Sequence, residues 1–568
     1  MAGRVPAQTG VSRPPSPRKC GMLRAVSAMP TRPGYEDARA AFRWEQSARD
    51  LGWAPGEAVS LGHTILDRHA GADRPALYWL GRTGDERTYT FDELARLTAR
   101  FAGVLRANRV GPGDRVAGFM PRVPEMLIAM IGAWKAGAVY VPIFTGFGPD
   151  AIEFRVRHSG AAALCTHHEH RDRLPAALPE ATRTITVAGE GPVGPGDVDF
   201  WRAMEQQREE PRPATHRRDD PAVLLYTSGS TGPPKGVRIA ANFLMAIHPH
   251  LVFGADLVPD DVFWPTGDPG WGYGLVCYMG ALALGIPVLC HEAAPTAEHC
   301  LGQLRERRVT NLATTPTVLR SVMALGTAVR GPLRLRTASS CGEPLNARVV
   351  SFFQEHWGVT VRDQYGSSEL GLPIGNFASI DMAVKPGSMG LPLPGCTMAV
   401  VDDEGREVAP GVVGHVGMKP PPEGYYSLGY WNDPERDREG YRGEWLTCGD
   451  LARRDADGYF WFEGRADDVI KSAGYRIGPF EVESAILKHE AVAEAAVVGK
   501  PDALRGQIVK AFVVLKPGRA PRAGLEGEIA DVVRTHVGRH QYPREVEFLA
   551  ELPKTETGKI QRFLLRQR

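Results

Sequence analysis

The sequence has little that would mark a specialised class of protein. Its formal net charge is +1 over 568 residues, so no general attraction to nucleic acid is expected. Its eight cysteines form no CxxC pair, which argues against a cysteine-based zinc site. A chain of this length buries a large core without disulfides. The cysteine usage favours a reducing, cytoplasmic compartment.

Long apolar runs are also absent. Pro269–His291 carries no formally charged residue, but its five glycines and Pro287 are unlike a membrane span. We predict a buried helix in this stretch, a break at Gly285 and a strand that ends near Cys290. No membrane span is expected.

The first 35 residues lack both acidic residues and an apolar run, and they contain six cations and six prolines. Without an apolar run they do not resemble a secretory signal. The remaining interpretations are an Arg-rich transit peptide, a disordered tail or an over-long gene start. We favour a disordered leader over residues 1–35.

Alternating helix and strand signals predict the fold class. Thr90 and Glu93 form a capping box before apolar residues at helical spacing, which predicts the start of a helix. Arg115–Met120 is predicted as a strand, Pro124 opens a helix, and Ala138–Pro142 is the next strand. Similar alternation returns along the chain, so we predict an α/β protein with mainly parallel sheets.

Changes in sequence texture predict the domain organisation. Residues 36–466 are expected to form a large domain of helix-flanked sheets, of which residues 396–466 form a β-rich subdomain of short strands and turns. Residues 467–568 are predicted to form a small, mobile α+β domain. Residues 189–220 are rich in Gly, Pro, Arg and Asp and are expected to form a surface loop. No internal repeat is visible.

The strongest local motif is YTSGSTGPPKGV, which starts at Tyr226 and follows a predicted strand. Glycines let backbone N–H groups converge on an anion, hydroxyls donate further hydrogen bonds and a lysine adds positive charge. The motif predicts a phosphate cradle, but it is not a Walker A loop because the glycine–lysine–hydroxyl ending is missing. The candidate phosphate-binding residues are Thr227, Ser228, Gly229, Ser230, Thr231, Gly232 and Lys235.

Further motifs follow in a fixed order, and together they resemble the adenylate-forming superfamily over roughly residues 40–566. The resemblance is closest to the branch of medium-chain acyl-CoA synthetases and acetyl-CoA synthetases. The motifs after TSGSTGPPKG are SCGEPLN (340–346), DQYGSSELG (363–371), LTCGD (446–450), FEGRADD (462–468), IKSAGYRIGPFEVE (470–483) and LPKTETGKI (552–560).

The resemblance implies activation of a carboxylate by ATP. Lys559 matches the family's adenylation lysine, Glu369 matches the Mg²⁺ ligand, and Ser368 replaces the threonine usual before it while keeping the hydroxyl. These three residues are the expected catalytic set. Besides the phosphate-cradle residues, the expected ATP- and AMP-binding residues are Gly342, Glu343, Pro344, Asp363, Gln364, Tyr365, Asp450, Arg465 and Arg476.

The resemblance also implies a second half-reaction with coenzyme A. Asp467 matches the hinge about which the small domain rotates after adenylation. Gly474 is expected to line the pantetheine channel, and Arg534 is the candidate contact for the coenzyme A nucleotide.

The acyl pocket is predicted from TGDPGWGYG, residues 266–274, and from the end of DQYG. Gly366 stands where acetyl-CoA synthetases carry a pocket-capping tryptophan, so we expect an acyl tunnel extending past a methyl group. Tyr273 and Cys341 are expected to refill part of that space, and Trp271 is either pocket wall or core. The full predicted set is Trp271, Gly272, Tyr273, Cys341 and Gly366.

The sequence therefore predicts an AMP-forming, CoA-dependent synthetase of a short- or medium-chain carboxylic acid, with ATP, Mg²⁺ and coenzyme A as cofactors and co-substrates. Alternatives within the class are an acetyl- or propionyl-CoA synthetase and a ligase that loads a carrier protein. A P-loop ATPase or kinase is disfavoured by the missing Walker ending. A non-catalytic adenylate-binding protein is disfavoured by Lys559 and Glu369. The sequence leaves the oligomeric state open, with a homodimer as one option.

Overall fold

The structure is a computed structural model that describes residues 32–568. Not described within that range are residues 177, 190–192, 209–211, 228–233, 294–295, 327–330, 423, 467, 469, 473–474, 503–504, 538–540 and 555–559. Within the described residues, no helix combines the length and apolar character needed to cross a bilayer.

Helices are numbered α1 to α16 in chain order. They are Tyr35–Ala41, Trp44–Asp50, Leu61–Ile65, Phe91–Ala107, Pro124–Ala136, Pro149–Ser159, Phe200–Glu205, Phe243–Pro249, Gly272–Ala283, Ala297–Glu306, Pro316–Ala324, Ala347–Trp357, Pro434–Glu439, Pro479–Ile486, Leu525–His536 and Arg562–Arg566.

Strands are numbered β1 to β27 in the same way. They are Pro75–Leu80, Glu86–Thr90, Arg115–Phe119, Val139–Pro142, Ala161–His167, Arg183–Val187, Val198–Asp199, Pro221–Thr227, Lys235–Ala240, Phe263–Pro265, Val288–His291, Asn311–Thr314, Thr337–Cys341, Val361–Ser367, Gly371–Gly375, Leu391–Pro392, Thr397–Val401, Gly414–Lys419, Ser427–Tyr430, Tyr441–Arg442, Trp445–Arg454, Phe460–Arg465, Ile470–Ser472, Tyr475–Ile477, Val492–Asp502, Gly506–Leu515 and Glu545–Phe548.

Two large sheets form the body of the protein. The first has the order β16-β15-β14-β13-β12-β10-β11-β1-β2, and its strands from β14 to β1 are parallel. The second has the order β19-β9-β8-β4-β3-β5-β6-β7, and its strands from β8 to β7 are parallel. The predicted α/β class with mainly parallel sheets is confirmed.

Both large sheets contribute to one hydrophobic core. Leu77 of β1 and Val116 of β3 belong to the same buried cluster, together with most residues of α5 and of α9. Helices that are apolar on every face are stable only when they are surrounded by protein. This burial anchors α9, at whose start the predicted pocket residues Trp271, Gly272 and Tyr273 lie.

Two smaller sheets complete the fold. Strands β17, β18, β20, β21 and β22 form an antiparallel sheet, and β23 to β27 form the sheet of the C-terminal part, where α14 and α15 cover a separate core. The rings of Phe462 on β22 and Phe480 on α14 meet edge to face at 6.2 Å.

Local sequence signals account for several element boundaries. The Thr90 side chain accepts a hydrogen bond from the backbone N–H of Glu93 at 3.1 Å, as the capping box predicts. Helix α5 begins at Pro124 and is followed by Gly137, whose φ of +89° lies in the left-handed region that favours glycine. The predicted break at Gly285 is confirmed by its φ of +73°, between α9 and β11.

The structure differs from the sequence predictions in three places. Tyr35, counted with the leader, opens α1, and its hydroxyl donates to the carbonyl of Pro392 at 2.8 Å. Strand β19 lies within the predicted β-rich segment but pairs with β9 of the second large sheet. The expected loop at 189–220 contains α7, where the fully buried Phe200 stacks on Phe101 at 4.8 Å. The apolar contact outweighs the polar composition around it.

Candidate functional site

The predicted nucleotide residues lie at the carboxyl ends of neighbouring parallel strands. Strand β13 ends at Cys341 and β14 ends at Ser367, which is where ligands bind in sheets of this type. Gly342 follows β13 with a φ of +97°, so the turn into Glu343 and Pro344 requires a glycine.

Two buried oxygens on these strands have no hydrogen-bond partner among the described residues. They are Oδ1 of Asp363 on β14 and Oγ of Ser340 on β13. Burial raises the pKa of Asp363 well above its usual range. Buried polar groups are normally hydrogen-bonded, so unpaired ones at strand ends are typical of a ligand site.

Tyr365, Asp450 and Arg465 come together from three separate motifs. The Tyr365 hydroxyl donates to Oδ2 of Asp450 at 2.7 Å, and Nη1 of Arg465 donates to Oδ1 at 3.2 Å. Asp450 and Arg465 are cross-strand partners on β21 and β22. The arrangement fixes a carboxylate and a guanidinium side by side at the end of β14, where they can hydrogen-bond a polyol.

Glu369 lies just beyond β14, after Ser368. The hydroxyl of Tyr430 donates to its Oε1 at 3.0 Å. Burial raises the pKa of Glu369, and the negative charge of Asp450 adds to the effect. A carboxylate oxygen is a ligand type that Mg²⁺ prefers, and Glu369 is close to the Asp450 cluster.

The phosphate-cradle motif is described only at its two ends. Thr227 ends β8 and Lys235 begins β9, and the two are paired across this antiparallel hairpin. Ser228, Gly229, Ser230, Thr231 and Gly232 lie outside the described residues.

The predicted acyl-pocket residues gather around the start of α9. Tyr273 donates to or accepts from Oγ of Ser339 on β13 at 3.0 Å, which brings α9 against the strand that ends at Cys341. The ring of Trp271 packs against Phe144 at 5.5 Å and Phe147 at 6.2 Å. Trp271, Gly272 and Tyr273 all stay partly exposed, whereas the rest of α9 is buried. The start of α9 is therefore its more accessible end.

One expectation about the pocket needs correction. The absence of a side chain at Gly366 does not leave a tunnel in that direction. A Cβ there would lie 2.2 Å from the carbonyl oxygen of Gly371 and 2.6 Å from Cδ2 of Leu372. Antiparallel pairing of β14 with β15 brings this backbone across the space. Leu372 occupies the position that a larger residue at 366 would take.

Other predicted residues are engaged elsewhere or are not described. The Glu343 carboxylate accepts hydrogen bonds from Thr317 at 2.7 Å and Arg320 at 2.5 Å, both on α11. Arg534 pairs with Asp531 on its own helix and lies over the Tyr542 ring at 3.9 Å. Gln364 donates to the carbonyl of Asn376 at 2.9 Å. Lys559, Asp467 and Gly474 lie outside the described residues, and only the backbone of Arg476, in β24, is described.

Comparison with known proteins identifies the family. A model described as AMP-binding enzyme matches residues 66–431, and one described as AMP-binding enzyme C-terminal domain matches residues 481–559. The chain belongs to the AMP-binding enzyme family. It is 36% identical over 545 residues to acetyl-coenzyme A synthetase of Bacillus subtilis (strain 168), covering 94% of each chain.

Two further family members are similar over nearly their whole length. Mitochondrial acyl-coenzyme A synthetase ACSM3 of Mus musculus is 31% identical, with 95% of this chain and 96% of that one covered. The crystal structure of an acyl-CoA synthetase from Brucella canis superimposes with a TM-score of 0.76 at 39% identity, covering 94% and 98%. The resemblance expected from the sequence is confirmed.

The sequence did not indicate several residues that build the site. Tyr430 reaches Glu369 from 61 residues away, because β19 joins the second large sheet. The Cys448 sulfur lies 3.2 Å from the Tyr365 hydroxyl, although only its place inside LTCGD hinted at a role.

Proposed function

We propose that this chain is an AMP-forming acyl-CoA synthetase acting on a short- or medium-chain carboxylic acid. The class of reaction is that of its family, in which ATP activates an acid as its adenylate before transfer to coenzyme A. The observation that carries the proposal is the cluster of Tyr365, Asp450 and Arg465, which joins three family motifs at the end of one strand.

In the first half-reaction, a carboxylate oxygen of the acid bonds to the α-phosphorus of ATP and pyrophosphate leaves. Asp450 accepts hydrogen bonds from the ribose hydroxyls, and Arg465 holds Asp450 in position while donating to the same sugar. Lys235 and Lys559 place positive charge near the phosphates. In the second half-reaction, the coenzyme A thiolate bonds to the acyl carbon and AMP leaves.

Mg²⁺ fits this donor set. Glu369 would hold it, and the ion would neutralise charge on the phosphate oxygens. Tyr430 orients the carboxylate by donating to Oε1. Ser368, which precedes Glu369 in the chain, retains the hydroxyl of the threonine that is usual at this position in the family.

The finer assignments belong to the same proposal. We place the enzyme in the cytoplasm, because the seven cysteines described are all free, as in a reducing compartment. An acetyl- or propionyl-CoA synthetase remains the nearest alternative, since the relatives in Bacillus subtilis include one named for acetyl-coenzyme A. A ligase that loads a carrier protein differs in its acceptor thiol.

The substrate panel is the first test. Acids from acetate to decanoate, with aromatic acids beside them, are assayed for AMP release with ATP and free coenzyme A. Acid-dependent AMP with thioester product supports the proposal. ADP as the product, or no turnover with any acid, contradicts it. Adenylation of an acid without transfer to free coenzyme A favours a carrier-protein acceptor.

Lys559 provides the test of the two half-reactions. Lys559→Ala is expected to slow adenylation, measured by pyrophosphate exchange, by on the order of 10²–10³, because a charge-stabilising donor is lost. Thioester formation from supplied acyl-adenylate should survive. Lys554→Ala is the matched control in the same motif, since that lysine pairs with Glu494 at 2.5 Å. Equal loss of both half-reactions would contradict the role of Lys559.

A further inference from the structure

His250 occupies an unusual stretch of backbone behind the candidate acyl pocket. Residues His250–Gly254 form a single π-helical turn that directly follows α8. Such turns are rare and occur mostly at functional sites. The His250 side chain is 1% exposed.

Neither ring nitrogen of His250 makes a hydrogen bond of good geometry among the described residues, although the side chain of Gln364 is close enough to interact with the ring. Burial lowers the pKa of His250 to about 4. The ring is therefore neutral at physiological pH and offers one N–H donor and one acceptor nitrogen. Leaving a buried polar group unpaired costs about 1–3 kcal/mol, so an apolar residue would serve the fold better.

The His250 ring lies against residues of the proposed site. Its centroid is 6.3 Å from that of Tyr273, and the two rings are edge to face. Gln364 lies on another side. A Cβ on Gly254 would lie 3.0 Å from Oε1 of Gln364 and 2.8 Å from Nδ1 of His250, so position 254 has no room for a side chain. The Tyr273 hydroxyl is occupied by Ser339. His250 is a nearby group with unmet hydrogen bonds, as Ser340 and Asp363 are.

The same helix offers an internal comparison. His248 is also buried and its Nε2 likewise lacks a hydrogen bond of good geometry, but that atom lies 3.3 Å from the acidic Oδ2 of Asp50 on α2. Its polarity has a structural use. His250 faces α9 and β14 and has no acidic partner among the described residues, so its polarity points to a ligand.

We propose that the acid activated by this enzyme carries a hydroxyl group on its acyl chain and that His250 binds this hydroxyl. A hydroxyl both donates and accepts, so it satisfies either tautomer of a neutral imidazole. The proposal rests on the proposed function and on Tyr273 lining the acyl pocket. His250 is then a specificity residue that favours a hydroxy acid over the alkyl acid of equal length.

The experiment compares matched pairs of acids in the full-length enzyme. Butyrate is paired with its 2-, 3- and 4-hydroxy derivatives, and pentanoate with 5-hydroxypentanoate, and kcat/KM is measured by AMP release. For at least one pair, the hydroxy acid should be favoured by about 10²-fold, because sites built to bind a hydroxyl reject the analogue lacking it strongly. His250→Leu should bring that ratio close to one. His250→Gln, which keeps a donor and an acceptor, should restore part of it.

His248→Leu is the control, since the same substitution two residues away should leave the ratio unchanged. If alkyl acids are activated and no hydroxy acid is favoured, this inference fails while the proposed function stands. If no acid is activated, the proposed function fails first. If His250→Leu and His248→Leu change the ratio equally, His250 has only a structural role. The ratio of kcat/KM for hydroxy acid over alkyl acid in the native enzyme needs no variant. It therefore tests the proposal even if a His250 variant fails to fold.

Discussion

At the scale of single residues, Asp450 connects the parts of the proposed ribose site. It receives hydrogen bonds from Tyr365 at 2.7 Å and Arg465 at 3.2 Å. Asp450→Asn removes the charge while keeping the shape. Since a hydrogen bond to a charged group is worth about 1.5–3 kcal/mol, the KM for ATP in pyrophosphate exchange should rise roughly 10- to 100-fold.

Asp457→Asn is the control for this change. Asp457 lies between β21 and β22 with its side chain 73% exposed, and the KM for ATP should stay at the wild-type value. Equal KM values in both variants would place Asp450 outside the nucleotide site.

Leu372 replaces Gly366 as the residue expected to set acyl chain length. Gly366→Trp would not simply fill a tunnel, because its Cβ would lie 2.2 Å from the carbonyl oxygen of Gly371. Leu372→Ala removes three carbons' worth of volume next to that position. At about 0.8 kcal/mol per buried CH₂, the ratio of kcat/KM for hexanoate over butyrate should rise by on the order of 10-fold or more.

Leu372→Met conserves volume and should leave that ratio near wild type. If the alanine and methionine variants show the same preference as the native enzyme, the acyl chain does not pass Leu372, and the wall formed by Tyr273 becomes the next one to examine.

At the scale of elements, the sequence predicted those helix boundaries that are determined by residues close together in the chain. Capping by Thr90 fixes the start of α4, and Pro124 with Gly137 fixes both ends of α5. The structure brings the motif residues Tyr365, Asp450 and Arg465 together, and their roles in binding stay a prediction. Contacts made by pairing between distant strands were not predictable from local signals. Tyr430 reaches Glu369 only because β19 joins β9.

The junction between β22 and α14 is expected to respond to pH through Glu463. Burial raises the pKa of Glu463 to about 7; the negative charge of Glu481 adds to this and Arg453 opposes it. The unfolded chain titrates this group near about 4.3. Between those values the folded state binds more protons, so this contribution to stability is present at low pH and is lost as pH rises through about 7.

Glu463→Gln should remove that part of the decline. Tm is measured from pH 5 to pH 8, and the variant should lose fewer degrees than the native protein over this interval. Glu551→Gln, at an exposed position, should follow the native curve. A Glu463→Gln curve parallel to the native one would mean that Glu463 keeps an ordinary pKa in the folded protein.

At the scale of the whole molecule, the two half-reactions need different surroundings for one acyl group. The first places positive charge at the phosphates, and the second admits a thiol to the acyl carbon. The small C-terminal part touches the rest of the chain where Phe480 meets Phe462 and where α14 begins beside Glu463. Rotation of this part about one residue would change those contacts between the half-reactions, and the family resemblance predicts that this residue is Asp467.

Asp467→Pro is expected to separate the two half-reactions. Proline fixes φ near about −65°, so a residue that must adopt two backbone conformations is held in one. Thioester formation should fall much more than pyrophosphate exchange, and Asp467→Ala, which keeps φ free, should leave both close to native rates. The two rates are measured separately, with supplied acyl-adenylate for the second. Parallel losses in the proline variant would show that position 467 supports the fold and that the small domain turns elsewhere.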